Sequence, residues 1–303
     1  MKRLLTASLM MLALPAVAQD AAPKPEPVTT PGSGRWPARF ERAANLPDHV
    51  VYRPGDLSAL GKRKLGVYVF GNGGCSADGT SSRNHLLDIA SHGYLAIAPG
   101  TIPDPAARKE APTARPPGQL SAQTPASSLK AAIDWAVAEN GRADSPYRGR
   151  IDTSRIAISG FSCGGLQALM NADDPRVKTI VVMNSGVFNE GGSRITGIEV
   201  GKDAVARLRG SALYVLGGPS DIAYANGMDD YRRIAGIPAA VVNIPVGHGG
   251  TYMQPNGGVA AEVVVAWLDW RLWGDKAAAA KFVGADCGFC RDPRLTIERK
   301  NIR

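Results

Sequence analysis

Arg155-Ile-Ala-Ile-Ser-Gly-Phe-Ser-Cys-Gly-Gly-Leu-Gln-Ala-Leu169 reads as a short apolar strand, a turn Gly160-Phe-Ser162-Cys-Gly164, and the opening of a helix. A serine in G-x-S-x-G between strand and helix stands on a strained elbow that lifts its hydroxyl clear of the sheet. Glycine is required on both sides because the backbones pack closely there, and a Cβ at either position would collide. The helix N-terminus behind the serine favours negative charge nearby. A plain Gly/Ser turn would share the pattern, so the rest of the chain has to supply the partners that a nucleophile needs.

Outward from this stretch, strand-like and helix-like segments alternate. Leu65–Phe70, Tyr94–Ala98, Arg155–Ser159, Thr179–Met183, Ala212–Leu216 and Ala239–Ile244 are short apolar runs expected as strands. Asn84–Ser91, a well-capped amphipathic Ser127–Asn140, Asn226–Ala235 and Gly258–Leu272 carry helical spacing. Continuous apolar strands alternating with helices imply an α/β domain whose mostly parallel central sheet has helices on both faces. Residues 101–126, rich in proline, form a long irregular loop expected to shape a cleft at the strand ends.

The chain opens on a basic n-region, a short apolar run and Ala-Val-Ala18, the pattern of a secretory signal peptide at residues 1–18. Its apolar core is too short for a bilayer span, and no other stretch suits one. Residues 19–35, rich in proline and small polar residues, read as a linker to a single domain over 36–303. Removing Lys2 and Arg3 lowers the formal charge from +8 to +6. The basic residues are dispersed apart from a tail, Arg291–Arg303, and no basic patch with interleaved aromatics points to nucleic acid.

A serine nucleophile needs a base, and the base needs an acid to orient it. Of the four histidines, His49, His85 and His92 sit within or beside expected strands and helices and read as structural. His248, in Pro245-Val-Gly-His-Gly-Gly-Thr251, follows the last buried strand in a glycine-flanked loop and is the candidate base. Asp221, just past the end of the 212–216 strand, is the candidate acid, and the chain order Ser, Asp, His agrees. Asp229 and Asp230, inside the next helix, read as a solvated face. For the oxyanion, one donor is expected from the backbone N–H of Cys163. The other is expected from Gly74 or Cys75 in the loop Phe70-Gly-Asn-Gly-Gly-Cys75, which lacks the lysine of a phosphate-binding loop.

All four cysteines, Cys75, Cys163, Cys287 and Cys290, follow the signal peptide, so disulfides are expected. Cys287-Gly-Phe-Cys290 has no second Cys/His pair nearby and favours a local bond over a redox or zinc motif. Cys75 and Cys163 fall in the two segments that converge on one oxyanion, which brings their Cα atoms into disulfide range. The alternatives are free thiols, or a link from Cys75 to the C-terminal pair.

With these residues in place, the chain from about 45 to 285 resembles the dienelactone-hydrolase, chlorophyllase and polyester-cutinase branch of the α/β-hydrolases. The resemblance rests on Ile89–Ala98, Ser145–Ser162, Leu213–Asp221, Gly247-His248 and Ala266–Asp275. It implies the α/β-hydrolase fold, a carboxylic-ester substrate, no metal or organic cofactor, and Ser162, Asp221 and His248 as nucleophile, acid and base. The polyester cutinases usually carry methionine after the nucleophile and an aromatic residue in the oxyanion loop. This chain has Cys163 and Gly-Asn-Gly-Gly-Cys75 there. The reading is an exported serine esterase. A peptidase, amidase or polyester depolymerase would use the same triad, and a hydrolase-fold binding module of the cell envelope is the non-enzymatic alternative.

Overall fold

A computed structural model describes residues 28–104, 120–190 and 195–302. In chain order the strands are β1 (Ala38–Ala43), β2 (Leu46–Pro54), β3 (Leu65–Gly71), β4 (Tyr94–Pro99), β5 (Leu120–Ser121) and β6 (Ile151–Phe161). They continue with β7 (Val177–Met183), β8 (Ile195–Thr196), β9 (Ser211–Leu216), β10 (Ala239–Asn243) and β11 (Thr296–Lys300). The helices are α1 (Arg83–Ser91), α2 (Ser127–Gly141), α3 (Cys163–Met170), α4 (Asp203–Ala206), α5 (Tyr224–Arg233), α6 (Gly258–Trp273) and α7 (Lys276–Ala279).

Nine strands form one sheet in the order β1-β2-β4-β3-β6-β7-β9-β10-β11. From β4 to β10 neighbours run parallel, while β2 and β11 run against them. This is the α/β-hydrolase architecture. The central strands, such as β3, β4 and β9, are apolar and buried because both faces are covered, whereas β1 and β11 at the two edges carry charged residues. Val67, Val69, Ile156 and Ile158 point into one core with α2, α3 and α5. Tyr68, Phe70 and Ala157 point into the other, with α1 and α6. No helix among the described residues is long and apolar enough to cross a membrane.

Three expectations need correction. Residues 28–35, taken as part of the linker, are laced onto α1. Thr30 N–H donates to Asn84 Oδ1 (3.1 Å), Ser33 N–H to Asp88 Oδ1 (2.7 Å) and Gly34 N–H to Ser91 Oγ (2.8 Å). The glycine is what allows this approach, since a Cβ at Gly34 would lie 2.3 Å from the Ser91 carbonyl oxygen. The expected signal peptide and the first part of the linker lie outside the described residues, as does 105–119 of the proline-rich loop. The basic tail contains β11, an edge strand paired antiparallel with β10. Finally, α2 has no side-chain cap, because Ala126 occupies that position.

Beneath the elbow lies a buried polar pair. His85 is fully buried, with Nε2 3.0 Å from the Tyr68 hydroxyl, which in turn donates to Ser159 Oγ (2.8 Å). Burial lowers the His85 pKa to about 3. In the unfolded chain an imidazole takes up its proton near pH ~6.5, so between that pH and about 3 the unfolded state binds the extra proton. Stability is then lost as pH falls, by roughly tenfold in the folding constant per unit for this one group. His85→Gln is therefore expected to show a flatter loss of stability than the wild type when urea midpoints are compared at pH 7 and pH 4.5. Equal pH slopes would refute the assignment.

Candidate active site

The parallel strands end side by side at one edge of the sheet, and each end carries one part of the site. In the register, Gly71 of β3 lies opposite Gly160 of β6, and Phe161 opposite Met183 of β7. Met183 lies opposite Val215 of β9, and Leu216 opposite Asn243 of β10. The loop at 72–76, Ser162, Asn184, Asp221 and His248 therefore emerge in that lateral order.

Ser162 has φ +54°, left-handed backbone for a residue with a side chain. The close packing behind it is as the motif requires. A Cβ on Gly160 would come within 2.2 Å of the Gly164 carbonyl oxygen, and one on Gly164 within 2.0 Å of that of Gly71. The half-buried Ser162 places Oγ 2.9 Å from His248 Nε2. His248 Nδ1 lies 2.6 Å from Asp221 Oδ1. The structure thus brings the three expected side chains into one hydrogen-bonded chain.

Asp221 is buried, and its two oxygens have separate duties. Oδ1 faces His248 and accepts the Ala223 N–H (2.9 Å). Oδ2 accepts the Gly217 N–H (2.9 Å) and Asn184 Nδ2 (2.8 Å). Burial pushes the carboxyl up, but the hydrogen bonds from His248, Ala223, Gly217 and Asn184 outweigh it and hold the group below the usual carboxylate range. The loops after β9 and β10 are zipped together, with Gly247 N–H donating to the Gly217 carbonyl (2.9 Å). That contact fixes the reach of His248.

Cys75 and Cys163 are joined by a disulfide with Cα atoms 5.2 Å apart, and Cys287 and Cys290 by another at 4.9 Å. Of the two expected second donors, Cys75 is already committed, because its N–H donates to the Asn72 carbonyl (3.1 Å). The amides of Gly74 and Cys163 have no protein acceptor among the described residues. Gln123 and Thr124 close over this corner, donating to the Cys75 carbonyl at 2.9 and 3.2 Å.

A cavity of about 230 Å³ opens onto Ser162 and His248, walled mainly by Leu120, Leu166, Phe188, Ile195, Ile222 and Ala223. Leu120 and Ile195 belong to the β5–β8 pair, so the described end of the proline-rich loop does line the cleft. Asp230 departs from expectation. It is fully buried rather than solvated, and Lys202 Nζ lies 2.7 Å from its Oδ1. Its Oδ2 accepts the N–H of Val187 (2.8 Å), beside the cavity wall. Asp229 remains at the surface side, held down to about pKa 2 by Arg233 and Lys202. Sequence reasoning missed Asn184 altogether. Its only sequence signal is its place at the end of the strand next to the elbow.

Residues 69–197 match a family model described as "PETase: PET hydrolase-like". The matched stretch holds the 72–76 loop, the elbow and Asn184, and it ends before Asp221 and His248. Among curated proteins, none matches the chain. The sheet and the elbow give the chain the α/β-hydrolase fold, and over residues 69–197 it is similar to the PET-hydrolase-like family of that fold.

Proposed function

We propose that the protein is an exported serine hydrolase that cleaves carboxylic esters through an acyl-enzyme. The observation that carries this reading is the unbroken path from Asp221 through His248 to Ser162 Oγ at the mouth of an apolar cavity. In this mechanism Ser162 attacks the ester carbonyl while His248 takes its proton, and Asp221 fixes the ring and stabilises the imidazolium. The amides of Cys163 and Gly74 receive the oxyanion. His248 then returns the proton to the leaving alcohol, and water enters by the same base to release the acid. The apolar walls suit the acyl or alcohol portion of the ester. Export rests on the signal-peptide pattern at residues 1–18 and on the two disulfides.

The family match favours a second reading, a polyester depolymerase using the same residues. Labelling with a fluorophosphonate, followed by peptide mapping, tests the nucleophile directly. The adduct is expected on Ser162, with burst release of p-nitrophenol from p-nitrophenyl butyrate. No adduct and no turnover would favour a binding module. Turnover of peptides alone would favour a peptidase, and release of soluble acids from polyester film would favour the second reading.

A further inference from the structure

Asn184 is the first residue after β7, buried, with its backbone at φ +42°. A side chain in the left-handed region is uncommon, and here the conformation is held by the Asn184 N–H, which donates to the Val215 carbonyl (2.7 Å). The amide is then fully used. Nδ2 donates to Asp221 Oδ2 (2.8 Å) and to the Gly247 carbonyl (3.2 Å), while Oδ1 accepts the hydroxyl of Tyr252. One side chain therefore grips the carboxylate of Asp221 and, through residues 247 and 252, both ends of the loop that carries His248.

Only one orientation of the amide satisfies these partners. Turned over, it would face its oxygen toward a carboxylate and a carbonyl. Tyr252 fixes that choice. Its ring is buried, 4.4 Å from Phe161 and edge-on to His85, and its carbonyl accepts the His85 N–H (3.1 Å). Burial keeps its phenol protonated, hence a donor. Phe161 in turn lies 5.5 Å from the His248 ring.

We propose that Asn184 is a positioning residue of the Asp221–His248 pair, oriented by Tyr252. The role rests on the triad reading above. By donating to Oδ2, Asn184 turns Oδ1 toward His248 Nδ1 and keeps the carboxylate ionised. By holding the Gly247 carbonyl, it sets the height at which Nε2 meets Ser162. The groups facing the pair are Asn184, Tyr252, the amides of Gly217 and Ala223, and the Ser162 hydroxyl.

The test compares wild type, Asn184→Asp and Tyr252→Phe by kcat/KM against pH for p-nitrophenyl butyrate, alongside melting curves. Asn184→Asp keeps the shape but sets a second carboxylate against Asp221. Activity at pH 7 is expected to fall roughly 10–100-fold through misplacement of the base. The acid limb should move to higher pH, because added negative charge favours every protonated form of the pair. Tyr252→Phe should give a smaller loss with the same direction of shift, and it guards against a folding failure of the first variant. A purely structural role would lower Tm and the active fraction while leaving the limb in place, which would overturn the proposal. So would Asn184→Asp within about threefold of wild type. Wild-type Ser162 that takes no fluorophosphonate would instead sink the triad reading, which distinguishes the two failures.

Discussion

Ser162→Ala is expected to lose ester turnover by a factor of roughly 10⁴–10⁶ while folding as the wild type does. The side chain stands on a turn, its Oγ is bonded to His248, and the residue is only half-buried, so removing one oxygen opens no cavity in either core. Circular dichroism and Tm should be unchanged. A Ser162→Ala protein that keeps more than about a tenth of wild-type turnover would remove Ser162 from the nucleophile's role, since single losses within a triad cost far more than that. The companion substitution addresses the acid. Asp221→Asn puts an amide where the carboxylate now accepts four hydrogen bonds, from His248, Ala223, Gly217 and Asn184. At least one N–H then faces a donor, the tautomer of His248 is no longer fixed, and a loss of about 10⁴ is expected. Asp229→Asn should be mild, because that carboxylate pairs with Lys202 and the exposed Arg233 and lies apart from His248. The reverse ranking would move the acid to α5.

The parts of this site that depend on short-range chemistry could be read from the chain. Gly160 and Gly164 announce close backbone approach, and the apolar strands that end at Phe161, Leu216 and Asn243 fix where Ser162, Asp221 and His248 emerge. What could not be read depends on pairing across long separations. Thr296–Lys300 has four polar residues of five and looks like a solvated tail, and only its partner β10 makes it a strand. Residues 28–35 have the composition of a tether, yet they lie against α1 because Gly34 lets the backbone reach Ser91. Asp230 sits in a helix with charged neighbours. Its burial follows from the approach of Lys202 and of the Val187 N–H, 28 and 43 residues away. Asn184 belongs with these, since nothing about an asparagine at a strand end shows that a carboxylate 37 positions later will meet it. The groups proposed to react are local features of the sequence, whereas the groups that hold them in place are products of the fold.

Loss of the Cys75–Cys163 bond is expected to act on both stability and rate, and the two effects can be separated. The bond closes a chain separation of 88 residues, for which the loop-entropy model gives a stabilisation of about 4–5 kcal/mol. That contribution arises in the unfolded chain and leaves the rate of the folded enzyme untouched. The rate effect comes from position. Cys163 directly follows the nucleophile and Cys75 directly follows Gly74, so the bond ties together the two segments whose amides are proposed to receive the oxyanion. Removing one such donor typically costs roughly 10²–10³ in kcat, and loosening both should cost a fraction of that, about tenfold. Cys75→Ala/Cys163→Ala is therefore expected to melt well below wild type and, assayed cold where it is fully folded, to show reduced kcat with little change in KM. Cys287→Ala/Cys290→Ala makes the control, since that bond spans a separation of only three residues and neither cysteine touches the cavity. It should leave kcat unchanged. A Cys75→Ala/Cys163→Ala enzyme with wild-type kcat below its melting range would reduce the bond to a constraint on the unfolded chain, and the oxyanion site would have to hold its shape through Gly71, Gly160 and Gly164 alone.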